Sequence, residues 1–270
     1  MGARAWSTAQ AVGTLVLALD ARPAAAQGTS AAPPAAAAQH ALEVGASHQW
    51  VSNDYGDWGS VYARYQRQTT LDVWYADALA EYAFGDRGLF GGVAYRRELS
   101  ARTFASVGAG VGSGAFFLPR ARGDASGGVR WGPSRRLVST LGATYLRYRG
   151  PYRDVALTLA TAAYFRGAVA EVGLRANRST PGDVSSQRAF AAVTIAAAPG
   201  QTVIVRGDAG TEGYLLLGPS TAQVAFASRG ATVAWRARVA PRWTLIASTE
   251  AYKNPFYSRV GVSAGVSRSW

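Results

Sequence analysis

From Leu42 to the C-terminus, hydrophobic and polar residues alternate with a period of two, and this rhythm is the feature that most restricts the fold. Residues 72–84 show it most clearly. Their apolar parity has aromatic side chains at both ends and alanines between them: Trp74, Ala76, Ala78, Ala80, Tyr82 and Phe84. Asp77 and Glu81 belong to the other parity. Because successive residues of a strand point to opposite faces, this segment predicts a β-strand with one apolar and one polar face.

Segments 168–176, 187–197 and 242–252 follow the same rule. Their polar parity consists of Gly, Ser, Thr and isolated charges, whereas the outer face of a soluble sheet is rich in Lys and Glu. An apolar band with aromatic ends, opposite a polar face that lines a lumen, is typical of a transmembrane β-barrel. We therefore predict an all-β protein with a single antiparallel transmembrane barrel over residues 42–270. A soluble, secreted all-β binding protein is the alternative.

Turn-forming residues divide this region into about 14 strands. Short links are expected at 68–70, 100–102, 132–135, 166–167, 199–201 and 240–242. Longer links are expected at 52–57, 85–88, 116–123, 150–153, 178–186, 210–220 and 253–258. Short periplasmic turns that alternate with longer outer loops are typical of barrels, so both termini are predicted to be periplasmic. The apolar parity changes near 228–230, which indicates a β-bulge at Gly230 or a missed turn and leaves 12 or 16 strands as alternative counts.

The last strand combines an apolar parity with an aromatic final residue, Trp270. Val260, Val262, Ala264 and Val266 share that parity, and Arg268 interrupts it near the membrane interface, where its stem can snorkel. A closing strand with an aromatic end resembles the assembly signal of outer-membrane barrels. The barrel-assembly machinery is therefore an expected partner through this strand, beside outer-membrane lipid and lipopolysaccharide.

Two sets of candidate site residues follow from the parities. The charged side chains expected to face the lumen are Asp77, Glu81, Glu171, Arg175, Arg206, Asp208 and Glu250. The aromatic girdle is expected to contain Trp74, Tyr82, Phe84, Trp243 and Trp270. The lumen charges could line a polar conduit or pair with one another and plug it, and a barrel of 14 strands is compatible with both.

Residues 1–26 are predicted to be a signal peptide, with Arg4 before a short apolar stretch and small residues before Gln27. Residues 27–41 predict a disordered leader rich in Ala and Pro. The net charge of +12 comes almost wholly from arginines that are scattered along the chain, so nucleic acid is not an expected partner. Cysteine is absent, which excludes disulfides and a cysteine nucleophile.

Few residues could carry catalysis. His48, beside Ser47 and with Asp54 or Asp57 as a partner, is the one general base considered for a hydrolase triad, and a polar strand residue at the membrane interface is the alternative. No metal site or cofactor is predicted. The glycines at 108, 110, 112 and 114 lack a following helix that could hold a phosphate, so we interpret them as one strand face that leaves room in the lumen.

Three segments carry a resemblance to a known family: SGGVRW at 126–131, Glu212-Gly213-Tyr214 followed by Gly218-Pro219, and the terminal strand that ends in Trp270. In these segments, and in the Gly/Tyr/Arg-rich hairpins between them, residues 42–270 resemble the YaiO family of outer-membrane β-barrel proteins. The resemblance implies an outer-membrane location in a Gram-negative cell and gives no catalytic residues to carry over.

The function expected from the sequence is a non-enzymatic outer-membrane barrel that acts as a conduit, a structural component or an export partner. The export partner is not identified by the sequence. An outer-membrane hydrolase that uses His48, and a soluble binding protein, are the alternatives.

Overall fold

In the computed structural model, the described residues are 4–6, 39–113, 115–217 and 222–270, and they form a closed antiparallel barrel. The fourteen barrel strands are β1 Gln39–Val51, β2 Trp58–Gln68, β3 Asp72–Ala83, β4 Asp86–Glu98, β5 Thr103–Gly112, β6 Ala121–Trp131, β7 Leu137–Arg147, β8 Arg153–Phe165, β9 Ala168–Thr180, β10 Val184–Ala198, β11 Gln201–Leu217, β12 Ala222–Ala240, β13 Trp243–Lys253 and β14 Ser258–Ser269. A separate three-residue strand, Arg4–Trp6, pairs with the end of β11.

Each strand pairs with its neighbours in chain order, and β14 pairs with β1 to close the barrel. Reciprocal backbone hydrogen bonds between His40 and Trp270, of 2.9 and 3.0 Å, finish the seam. A closed barrel satisfies the backbone groups that an open sheet edge would leave without partners in lipid. The predicted all-β barrel of 14 strands is confirmed, and β1 begins three residues before the predicted start at 42.

The barrel has two distinct ends. We name the end that holds Gln39 and Ser269 the terminal end; its turns are 69–71, 99–102, 132–136, 166–167, 199–200 and 241–242. The opposite loop end carries the links 52–57, 84–85, 113–120, 148–152, 181–183, 218–221 and 254–257, of which 114 and 218–221 lie outside the described residues. Several loop-end links are shorter than expected, because β3, β4, β9 and β10 extend further than their turn-forming residues indicate.

The predicted bulge at Gly230 is wrong. Strands β11 and β12 keep a continuous register through the pair Asp208 and Gly230, and β12 shifts instead between Arg238 and Ala240. The apolar parity changes because Phe226 points inward, where it packs on Phe256 with ring centroids 4.5 Å apart. The apolar residue therefore lies inside the barrel at this level, and no extra residue is inserted.

The outward face is apolar over the middle of every strand. Large hydrophobic side chains exposed on it include Val61, Leu89, Val107, Leu141, Leu159, Val172, Val193, Val205, Leu245 and Val262. The inside of the described barrel has no apolar core of comparable extent. Its inward parity consists mainly of Gly, Ser, Thr and charged residues. The arrangement is that of a barrel whose surrounding medium is apolar.

Inward-facing glycines provide space for aromatic rings of the neighbouring strand. Phe104 lies against Gly128, and Phe90 lies against Gly110. Gly110 belongs to the glycine stripe, the predicted strand face formed by glycines 108, 110, 112 and 114. Phe104 is almost fully buried, with the guanidinium of Arg96 3.9 Å from its ring centroid. The predicted role of the stripe, room inside the lumen, agrees with these contacts, although Gly114 lies outside the described residues.

Gly128→Ala is expected to destabilise the barrel by about 1–3 kcal/mol, because the added methyl group would overlap the Phe104 ring. Gly127→Ala is the matched control: it adds the same methyl group on the outward face, where the nearest atom is the Phe104 carbonyl oxygen at 3.8 Å. Urea unfolding of purified protein in detergent would measure both. Equal destabilisation by the two variants would contradict the predicted overlap.

Within the described part of the chain, no helix is long and apolar enough to cross a membrane. The predicted signal peptide at 1–26 and leader at 27–41 fall largely outside the described residues, which include only 4–6 and 39–41 of them.

Candidate functional site in the barrel lumen

The seven charged residues predicted to face the lumen all lie on the inward parity of their strands. Four of them line one large cavity: Glu171, Arg206, Asp208 and Glu250. Asp77, Glu81 and Arg175 lie inward but outside that cavity lining. The period of two therefore places these side chains on one face, and the closed register decides which of them meet.

The cavity has a volume of about 1210 Å³ and occupies one side of the lumen. It extends from Gln39, Gln201 and Trp270 at the terminal end to Tyr252 and Tyr257 at the loop end. Its charged lining residues are Glu43, Arg64, Glu171, Arg188, Arg206, Asp208, Glu212, Arg236, Arg238, Arg242, Glu250 and Arg259. Such a space is wide enough for water and small polar solutes.

Arg188 is the centre of the most deeply buried polar cluster. It forms ion pairs with Asp208 and Glu212, and its Nη1 donates to Ser228 Oγ at 2.7 Å. Ser228 donates to Glu212 at 2.6 Å, and Tyr252 Oη donates to the other Glu212 oxygen at 3.0 Å. The Glu212 side chain is only 3% exposed, so this carboxylate depends on its partners for compensation of its charge.

A second polar group lies nearer the terminal end. Glu43 accepts hydrogen bonds from Arg236 Nη2 at 3.0 Å and from Tyr62 Oη at 3.2 Å. Arg64 Nε donates to Asp77 at 2.7 Å. These bonds join strands β1, β2, β3 and β12, so they fix side chains across the seam of the barrel.

The charged residues that face the loop end form a third group. Arg259 Nε lies 3.4 Å from Glu250, and its guanidinium lies 5.1 Å from the ring centroids of both Trp58 and Tyr252. Glu81, which is 9% exposed, is part of the same inward layer. Aromatic faces and carboxylates together surround this guanidinium group inside the barrel.

The other side of the lumen is filled by residues that the sequence prediction missed. Arg130 forms a bidentate pair with Glu98 at 2.7 and 2.9 Å, and Arg96 donates to the same carboxylate at 2.9 Å. Arg122 and Asp124 form a further bidentate pair at 2.6 and 3.0 Å. Their inward parity was readable from the sequence, but Gly-rich surroundings hid the alternation in β4 and β6.

An apolar cluster lies at the loop end, and we name it the stopper. Its buried members are Trp58, Ala83, Ala115, Phe117, Leu118 and Tyr257. The link 113–120 supplies three of them by folding inward, so that Ala115 and Leu118 pack over Gly88 on the inner wall. The signal for this cluster was the apolar run Ala115 to Pro119 inside a link that is expected to be polar.

Tyr148, in the link 148–152, is a further buried aromatic at the loop end. Its backbone N–H donates to the Tyr152 carbonyl at 2.9 Å and closes the link. Burial raises the pKa of the Tyr148 phenol, so this side chain stays neutral.

Three of the five residues predicted for the aromatic girdle, Trp74, Tyr82 and Trp243, are exposed on the outside of the barrel. Trp270 is exposed at the terminal end, where it also borders the cavity. Phe84 differs from the prediction. It follows the last residue of β3 with a φ of 55°, so the strand parity no longer applies to it. Its ring packs in the stopper, with centroids 4.3 Å from Trp58 and 5.7 Å from Phe116.

The structure does not assemble the hydrolase site considered for His48. His48 points outward, 3.4 Å from Asp57 and in edge contact with Trp50. Ser47 points inward and hydrogen-bonds Ser60 Oγ at 2.8 Å. The two side chains lie on opposite faces of β1, so Ser47 is not available to this histidine. Among the described residues, no three His, Cys, Asp or Glu side chains are placed to hold a metal ion.

Comparison with known proteins agrees with this architecture. The family model of the YaiO membrane beta barrel domain matches residues 39–215 of this chain. No curated protein matches the sequence. The solved structures described below are at most 12% identical to this chain, so they share only its fold.

Three of these solved structures are similar to this chain over most of their own length. Omp33 of Acinetobacter baumannii has 12% identity and a TM-score of 0.51, covering 84% of this chain and 97% of that one. An anion-selective porin from Comamonas acidovorans has 9% identity and a TM-score of 0.50, covering 86% and 99%. The CymD monoaromatic hydrocarbon channel has 6% identity and a TM-score of 0.53, covering 86% and 87%.

Proposed function

Since this chain belongs to the YaiO family of membrane β-barrel proteins and lies in the outer membrane, we propose that it is a conduit for small polar solutes, closed at its loop end in the conformation described here. The observation that carries the proposal is the cavity of about 1210 Å³ that runs from the terminal end to the stopper. Its walls alternate cations and carboxylates, which compensate for the hydration that a charged solute loses on entering.

Two further observations support a transport role. Several charged side chains on the cavity wall are held by partners, as in the Arg236–Glu43 and Arg64–Asp77 pairs, which leaves the space beside them free. Two of the similar solved structures are named as a porin and a channel, although their identities of 9% and 6% relate them to this chain through the fold alone.

The stopper favours a second candidate, a structural barrel without transport. An apolar cluster across one mouth prevents the passage of hydrated ions for as long as it stays in place. The two candidates differ in whether the link 113–120 leaves the mouth, and the conductance experiment in the Discussion separates them.

Neither candidate includes a catalytic step, since His48 and Ser47 face opposite sides of β1.

In addition, we propose that β14, which ends beside Trp270, is the strand that the barrel-assembly machinery engages. Truncation of Trp270 would test this through the amount of barrel that reaches the outer membrane.

Cysteine labelling tests whether the cavity is filled with water from the terminal end. The chain contains no cysteine, so single introduced thiols report without background. Ala192→Cys, on the cavity wall, is expected to react with a charged, membrane-impermeant thiol reagent at least about tenfold faster than Ala191→Cys, because a thiolate is the reactive form and needs water around it.

Ala191→Cys is the matched control, because it is the preceding residue on β10 and faces outward. The measurement is the rate of mass increase in protein reconstituted in lipid vesicles. Equal and slow labelling of both thiols would contradict a hydrated cavity, and with it the conduit.

A further inference from the structure

A belt of exposed arginines surrounds the terminal end on the outside of the barrel and in its turns. We name it the arginine belt, and its members are Arg67, Arg97, Arg102, Arg135, Arg136, Arg166 and Arg268. In the same zone of the described chain, one carboxylate, Asp72, faces outward, and it lies 3.9 Å from Arg97. The other six guanidinium groups of the belt form no ion pair with any described carboxylate.

This distribution contrasts with the lumen. The ten inward arginines are Arg64, Arg96, Arg122, Arg130, Arg175, Arg188, Arg206, Arg236, Arg238 and Arg259. Ten inward carboxylates accompany them: Glu43, Asp77, Glu81, Glu98, Asp124, Asp154, Glu171, Asp208, Glu212 and Glu250. The interior is therefore close to neutral, and the excess of arginine lies where solvent or lipid meets the barrel.

The depth of the arginine belt in the membrane indicates which anionic groups lie next to it. Arg67 pairs in register with Trp74 across β2 and β3, and the Arg268 guanidinium lies 5.5 Å from the centroid of the Trp243 ring. Arg166 follows Phe165, an outward residue that is 62% exposed. Aromatic side chains at this level mark the boundary between hydrocarbon and headgroups. The guanidinium groups beside them are therefore at the depth of lipid phosphates.

We propose that the arginine belt binds anionic phospholipid headgroups in the leaflet at the terminal end. A guanidinium donates two parallel hydrogen bonds to a phosphate, which suits it to this role better than an ammonium group. Headgroups of the surrounding leaflet reach Arg67 and Arg268 directly, because both side chains share a face with the lipid-exposed tryptophans. An acidic protein would have to displace those lipids first.

Native mass spectrometry of the full chain measures this binding. The protein is released from micelles that contain equal amounts of phosphatidylglycerol and phosphatidylcholine, and the retained lipids are counted. Wild type is expected to retain phosphatidylglycerol in excess. The triple variant R67Q/R166Q/R268Q is expected to lower the ratio of the two bound lipids by about fivefold or more, since each basic residue near a surface changes partitioning by about that factor.

The matched control is R87Q/R147Q/R229Q, which removes three exposed arginines from the loop end and changes the net charge equally. Its lipid ratio is expected to stay within about a factor of two of wild type. Heat-modifiable migration on gels shows that each variant is folded; if the glutamine variant does not fold, R67K/R166K/R268K, which retains the charge, is compared with wild type and is expected to bind more weakly.

Several outcomes would overturn the proposal. An equal loss in both triple variants would mean that net charge alone retains the lipid. An unchanged ratio in the belt variant would leave an acidic protein as the partner. Displacement of phosphatidylglycerol by inorganic phosphate at the same phosphate concentration would show a site for free phosphate.

Discussion

Replacement of the stopper's two largest loop residues by serine, F117S/L118S, is expected to open the barrel and raise its conductance in a planar bilayer by about tenfold or more over wild type. Both side chains are almost fully buried in the stopper. An apolar constriction excludes water and thereby ions, and hydroxyl groups in its place let water enter. The readout is the size and frequency of single-channel steps.

The control for this variant is P151S/Y152S, which makes two substitutions in the neighbouring link 148–152, outside the stopper. It is expected to conduct like wild type. A folded F117S/L118S barrel that stays silent would show that the rest of the lumen is closed as well. The structural role would then replace the conduit.

The strand pattern could be predicted from the sequence because it depends on local order. The period of two assigns Val172 or Glu171 to a face without any knowledge of the partner strand, and lipid outside the barrel makes the apolar face easy to recognise. Where this local rule ended, the prediction failed. Phe84 lies one residue past its strand, and Phe226 is an apolar residue on the inner face near the loop end.

The stopper and the polar pairs depend on contacts that are distant in sequence. Phe117 meets Trp58 and Tyr257 in one cluster, and Arg236 meets Glu43 across 193 residues. Only closure of β14 on β1 brings such residues together, and a single sequence contains no record of which inward charges become neighbours. The prediction therefore identified lumen-facing charges but left open whether they line a conduit or plug it.

Arg188→Met is expected to lower the free energy of unfolding by about 3–5 kcal/mol, because it leaves Glu212 and Asp208 without their cation inside the barrel. Methionine keeps most of the side-chain volume, so loss of charge is the main change. Arg178→Met is the matched control: the Arg178–Asp183 pair is about two-thirds exposed on both sides, and its removal is expected to cost about 0–1 kcal/mol. Urea unfolding in detergent measures both.

A triple variant identifies the origin of this cost. If the destabilisation arises from two uncompensated carboxylates, R188M/D208N/E212Q should recover most of it. Neither amide requires a cation, and the one at position 212 still hydrogen-bonds Ser228 and Tyr252. If Arg188 instead contributes mainly by packing, the triple variant should be no more stable than Arg188→Met. A cost below about 1 kcal/mol for Arg188→Met alone would mean that water already solvates Glu212, which a side chain 3% exposed does not favour.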